Sequence, residues 1–300
     1  MPFWRLKTNI HSLSAALVAG LAGALAAGPA AAVDVMPADY TVLPSGTNAA
    51  LIYGQYTTAG KLHVEGAGEV PDSRLDTAVG IARLLHYSDL DGLPFAVQAI
   101  LPFGGLTEAR IGGADLETEN GVGDLTLGLT VWPLNTSGPY GTTLGVTTYV
   151  ALPTGDHSGT PGTLSLGSGS FNITPQIGLV QGLGGSLFLD ATADMTFRQD
   201  HDHFGVEHSR DPSTQLQAYL RYQTSPSTSF SLGYSGLFGG EDYVDGVYQG
   251  TKTRSDQVRL FAATMLSPTV QIQGMLATDL RTEGGFEQDV VGTIRLMKLF

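Results

Sequence analysis

The sequence predicts an all-β protein, a transmembrane antiparallel up-and-down β-barrel of about 12 strands. Three observations predict it. First, apolar side chains recur at every second position. Within Thr142–Leu152, Leu144, Val146, Thr148 and Val150 fall on one face, and Thr143, Gly145, Thr147, Tyr149 and Ala151 on the other. Upstream, Leu125, Leu127, Leu129 and Val131 alternate with Asp124, Thr126, Gly128 and Thr130. A period of two is that of an extended strand. Second, the connections between such segments alternate in length. Segments 58–74, 104–122, 153–169, 200–212 and 239–252 are long, whereas 88–93, 133–141, 182–185, 224–227 and 267–268 are short; the last hairpin, at 283–287, is intermediate. A sandwich gives no reason for this alternation, whereas a barrel with long external loops and tight periplasmic turns does. Third, only 14% of residues are charged and mean hydropathy is +0.07, yet no apolar run beyond the N-terminal region approaches the roughly 20 residues of a membrane helix. Hydrophobicity spread over alternate positions gives that profile.

Taken in order, the chain opens with an export signal. Arg5 and Lys7 form a positive start, Leu13 to Ala27 is a short apolar stretch, and Ala30-Ala31-Ala32 supplies small residues for cleavage after Ala32. Residues 1–32 therefore read as a signal peptide, 33–47 as a short periplasmic lead and 48–300 as the barrel, in the outer membrane of a Gram-negative cell. Strands are expected near 48–57, 75–86, 94–103, 123–132, 142–152, 170–181, 186–199, 213–223, 228–238, 253–266, 269–282 and 288–300, an even number as bacterial single-chain barrels have. The terminal Phe300, after an alternating strand with Ile294 and Leu296, resembles the signal by which such barrels reach their assembly machinery. Lys298 departs from that pattern and suits a snorkelling position at the rim.

Charge assigns the two faces. In Ser186–Arg198, Leu187, Leu189, Ala191, Ala193, Met195 and Phe197 share one face, while Asp190, Asp194 and Arg198 lie on the other. Arg or Lys at the lipid midplane costs about 2–4 kcal/mol, so the charged face looks into the lumen. The same argument turns Arg221, Arg259, Asp279, Arg281 and Arg295 inward, with Gln217, Gln257, Gln271, Gln273 and Thr293. These residues either pair to brace the wall or line a solute path. Pro175 interrupts a strand. A proline has no N–H for the ladder, so it marks either a bulge or a local gap in the wall through which an apolar solute leaves sideways.

Other constellations carry less. There are no cysteines, which excludes disulfides and thiolate metal sites. The formal charge of −13 leaves no basic face for nucleic acid. The run Gln199–His208 collects His201, His203 and His208 with several acids, and Asp115, Glu117 and Glu119 form an acidic stretch. Both read as solvated loops rather than metal centres. Asp156, His157 and Ser158 are adjacent in a Gly/Pro-rich loop, without the rigid frame that a catalytic triad requires. Gly167-Ser168-Gly169-Ser170 lacks the lysine and helix of a phosphate loop. No catalytic residues, metal or cofactor are expected.

Motifs in the most regular region add a family. Gly121-Val122-Gly123-Asp124-Leu125-Thr126-Leu127-Gly128, then Leu152-Pro153-Thr154-Gly155-Asp156, then Leu166-Gly167-Ser168-Gly169 and a strand with Pro175 together resemble the MetA-pathway of phenol degradation family. The resemblance implies an outer-membrane barrel that admits small hydrophobic or aromatic compounds. The resulting expectation is a monomeric passive channel in contact with outer-membrane lipid and lipopolysaccharide. The alternative is a non-transporting surface or structural barrel with a plugged lumen.

Overall fold

The computed structural model describes residues 34–156, 163–203 and 205–300. The expected signal peptide, and His157 and Ser158, lie outside the described residues. Twelve long strands form the wall: β1 Asn48–Ala59, β2 Arg74–Leu90, β3 Leu93–Ile111, β4 Thr126–Asn135, β5 Thr142–Ala151 and β6 Asn172–Gly184. They continue as β7 Leu187–Arg198, β8 Ser213–Ser225, β9 Thr228–Gly239, β10 Thr253–Ser267, β11 Val270–Glu283 and β12 Val290–Leu299. Each pairs antiparallel with its neighbours in sequence. β12 pairs back onto β1 from Ala49↔Leu299 to Thr58↔Val290. No free edge strand remains, so the wall closes its ladder on itself as a membrane span requires.

Which way the faces look is settled by exposure. Leu276 and Ile294 are 62% and 63% exposed, while Gln273 and Arg295 on the same strands are 2% and 4% exposed. A water-soluble protein hides leucine and shows arginine. Here the order is reversed, as lipid outside and polar side chains inside require.

The turns follow from local chemistry. β2 and β3 meet through Asp91-Gly92, both at positive φ (51° and 88°), with Leu90 opposite Leu93. Two left-handed residues make the hairpin turn whose twist matches the strands. On the other side, β3 runs on to Ile111, beyond its expected end, and the long loops form structure of their own. Lys61–Val64 pairs with Gly68–Val70 and Gly285–Glu287. His201–His203, Val206–Arg210, Asp242–Val244 and Val247–Tyr248 form a second small sheet. Leu62, Val64 and Ile111 bury a satellite core with Val70, Leu116 and Phe286. The two sheets are joined by Glu65 N donating to Gly250 O at 2.9 Å and by Tyr248 Oη donating to Glu65. The histidine-rich run, expected as a solvated loop, is thus a hairpin in which the His201 and His208 rings stack 5.5 Å apart.

Three expectations are corrected. Residues 34–43 of the expected periplasmic lead lie inside the barrel. They pack against inward-facing wall residues, burying Val35, Met36 and Tyr40. Arg281 does not face the lumen. Asp256 pairs with Arg281 and Gln257 with Asp279, so Leu280 is an extra residue. The bulge flips the alternation, leaving Arg281 exposed beside Glu283 and turning Thr282 inward onto Asp279 at 2.8 Å. Pro175 is not a bulge either. The β6–β7 register is Ile173↔Phe197 before it and Gln176↔Asp194 after it, without slippage.

Candidate functional site: the occupied lumen

The lumen is built by inward residues of nearly every strand closing on residues 34–43. Asp34 accepts Nε2 of Gln215 and of Gln217 on β8, both at 2.9 Å, and pairs with Arg259 of β10 at 3.1 Å. Asp39 lies between Arg295 of β12 at 2.5 Å and Arg83 of β2 at 3.3 Å. Ala38 N donates to Asp190 of β7 at 3.3 Å, and Asp190 in turn holds Arg221 of β8 at 2.7 Å. Ala38 sits at φ 70°, a left-handed conformation that L-residues rarely adopt, in the tight turn that presents Asp39 to its arginines.

Tyr40 anchors the far side. Its ring lies over Gly145 and Gly178, which are opposite each other on β5 and β6. A Cβ on Gly145 would come within 2.6 Å of the ring, and one on Gly178 closer still. Its hydroxyl meets Thr147 Oγ1 at 2.8 Å and donates to Gln176 Oε1 at 2.9 Å, while its carbonyl accepts Trp132 Nε1 at 3.0 Å. Gln176 Nε2 reaches Asp194 at 2.9 Å. The slot exists because two adjacent strands both place glycine inward at the same height.

The remaining lumen is not uniformly polar. Met36 packs with inward Leu51, Tyr53, Tyr219, Phe261 and Met275 into one apolar cluster, so a greasy inner face stands beside the ion pairs. On the opposite wall the β6–β7 ladder is interrupted at Thr174-Pro175, which pair with β5 but not with β7. A Thr174–Thr196 hydroxyl contact at 2.9 Å bridges that point on the inner face.

Of the site residues predicted from sequence, Asp190, Arg221, Arg259 and Arg295 converge on the lead or on its partners. Asp194 touches it through Gln176. Asp279 lies apart, holding Gln257 Nε2 and Gln288 N at 2.9 Å near the external rim, and Arg198 lies at the outer end of β7. Asp34, Asp39, Tyr40, Arg83 and the two glycines were missed. A signal for the acids was present: inward arginines outnumbered their strand-borne partners, so carboxylates had to come from elsewhere.

The glycine-rich motifs have a structural role. Asp124 accepts Gly155 N at 2.9 Å through one oxygen, and Ser168 N and Oγ at 2.8 and 2.6 Å through the other. Asp156 Oδ2 accepts Val122 N at 2.9 Å. Three distant sequence motifs are thereby stapled into one external knot. Among the described residues, no group of three or more His, Asp or Glu side chains is placed to hold a metal ion.

Comparison with known proteins places this architecture. Residues 58–296 match the family described as "Putative MetA-pathway of phenol degradation". The crystal structure of the COG4313 outer membrane channel from Pseudomonas putida F1 is 30% identical, covering 89% of this chain and 100% of that one at a TM-score of 0.82. The transport unit of the autotransporter AIDA-I from Escherichia coli shares the fold at 10% identity, covering 94% of this chain and 99% of that one, with a TM-score of 0.53. No match was found among curated protein sequences. With its closed wall, occupied lumen and full-length likeness to a crystallised channel, the chain belongs to the MetA-pathway of phenol degradation family and is an outer-membrane β-barrel channel.

Proposed function

We propose that the barrel mediates passive uptake of small hydrophobic or aromatic compounds. The observation that carries this reading is the apolar inner face formed by Met36, Leu51, Tyr53, Tyr219, Phe261 and Met275. A pore for hydrated solutes gains nothing from such a face, whereas an apolar solute leaving water gains about 25 cal/mol per Å² buried. The interrupted ladder at Pro175 is consistent with sideways release into the membrane. The chain acts as a monomer surrounded by lipid and lipopolysaccharide, without a cofactor.

Whole-cell uptake of a radiolabelled aromatic hydrocarbon at low concentration tests the reading. A deletion strain takes it up more slowly than the strain complemented with the gene. Equal rates across a panel of aromatic compounds would reject it.

A second reading is a barrel that transports nothing. The ion pairs that fix residues 34–43 in the lumen favour it. Planar-bilayer recording separates the two, since a permanently plugged barrel shows neither ionic conductance nor solute-dependent blockade.

A further inference from the structure

At the outer end of the lumen a guanidinium is left without an anion. Arg198 is the last residue of β7, in phase with the inward-facing Asp190, Asp194 and Thr196. Its Nε and Nη2 are sealed from water and have no hydrogen-bond partner among the described residues. The charged groups near enough to act on it are a second guanidinium, Arg210, and the carboxylates of Asp242 and Asp124. Both carboxylates are committed elsewhere. Asp242 takes Thr251 Oγ1 at 3.0 Å and Arg210 at 3.4 Å, and Asp124 holds the loop knot through both oxygens. Burial pushes the Asp242 carboxyl above its usual range, against the pull of Arg210.

A buried donor left unmade costs about 1–3 kcal/mol, and more for a charged group. Most lumen arginines here avoid that cost: Arg83, Arg221, Arg259 and Arg295 each hold a carboxylate. Arg198 is the exception, and it stands under the external cap, where a solute arrives before it meets the lead. The residue as a whole is half-buried, not fully enclosed. A planar oxyanion matches a guanidinium in a two-point hydrogen bond.

We propose that Arg198, with Arg210 beside it, is a receiving site for the carboxylate of an amphiphilic solute, so that the channel takes aromatic or aliphatic acids head-first. This rests on the uptake reading above and narrows its substrate class. A lipid phosphate offers similar oxyanion chemistry, and the test separates the two.

The full-length chain, Arg198→Gln, Arg198→Lys and Arg210→Gln are purified in detergent and titrated with benzoate and with inorganic phosphate. Uptake of toluene is measured in cells expressing each, and heat-dependent gel migration verifies that each barrel is folded. Expected results are saturable benzoate binding, weakened about tenfold or more by Arg198→Gln, the factor for losing one charged hydrogen bond. Arg198→Lys and Arg210→Gln fall in between. Equal benzoate affinity in wild type and Arg198→Gln overturns the site. Phosphate binding tighter than benzoate assigns the pair to lipid headgroups and overturns the carboxylate reading. Absent toluene uptake in wild type, with Arg198-dependent benzoate binding, overturns the hydrocarbon reading and keeps the site.

Discussion

Asp39 and Arg295 stand 256 positions apart in the chain and meet at 2.5 Å inside the barrel. Arg83 approaches the same carboxylate from the opposite side of β1, so one acid in the lead bridges two wall guanidiniums. Removing one partner of a buried ion pair costs on the order of 3–5 kcal/mol, because the other charge is left behind. Asp39→Ala strands two. Its lead should leave the lumen for much of the time, and single-channel conductance should rise above wild type. Conductance identical to wild type would show that Asp39 does not hold the lead in place.

Tyr40 gives an independent handle on the same segment. Gly178→Val fills the slot in which the ring lies while leaving every lumen charge in place. Expected is a conductance increase comparable with that of Asp39→Ala, since the ring and the new side chain cannot occupy one space. Tyr40→Ala combined with Gly178→Val should be no more open than Gly178→Val alone, which a double-mutant comparison reads directly.

How far these features could be read beforehand depends on the kind of signal. All the wall strands were legible because a two-residue period needs only the local pattern, and the external loops were legible from their length. Arg281 was misread because one extra residue, Leu280, inverts the parity, and nothing in the composition near it marks a bulge. Pro175 was legible as a break but not as its type, since register is a relation between two strands. The lead was illegible locally. It has no periodicity, and only its complementarity to Arg83, Arg259 and Arg295 places it. The order of the Gly-Asp motifs was visible, but Asp124 joining Gly155 to Ser168 is a contact between loops.

Those staples predict a local phenotype. A Cβ on Gly155 would lie 2.6 Å from the Gly123 carbonyl carbon and 2.9 Å from Gly167 Cα, and backbone cannot move aside as a side chain can. Gly155→Ala and Asp124→Ala should therefore loosen the knot by about 1–3 kcal/mol without unfolding the wall. Limited proteolysis of intact cells checks this: cutting within 152–170 should quicken at least about tenfold, while the unheated barrel migrates normally in gels. Unchanged cutting would mean that the motif glycines serve something other than this packing.

Pro175 is tested by returning the missing donor. A valine in place of the proline offers an N–H towards β7, where the ladder now skips from Ile173 to Gln176. Pro175→Val should stabilise the wall slightly, by about 0.5–1.5 kcal/mol for the added hydrogen bond. If the interruption is an exit, apolar uptake should fall several-fold. Uptake equal to wild type in a variant shown to be folded would remove the sideways route and leave only passage along the barrel axis.

The cap should respond to acid. The hydrogen bond from Lys61, with that from His63, holds the Glu287 carboxyl below the usual glutamate range and ties Gly285–Glu287 to Lys61–Val64. A carboxyl whose folded value is depressed contributes stability above its unfolded value, about 4.3, and loses it as pH falls through the folded value. Because the pair is partly exposed, its worth is at most about 1 kcal/mol. Amide protection factors for residues 61–64 and 285–287 should hold steady from neutrality to about pH 5 and then drop by up to about fivefold on further acidification. The comparison is made in a His63→Gln background, so that the imidazole does not contribute. In Glu287→Gln the drop should vanish and protection should sit at the acid level at every pH. A drop that persists in Glu287→Gln would assign the acid response to another carboxylate of the cap.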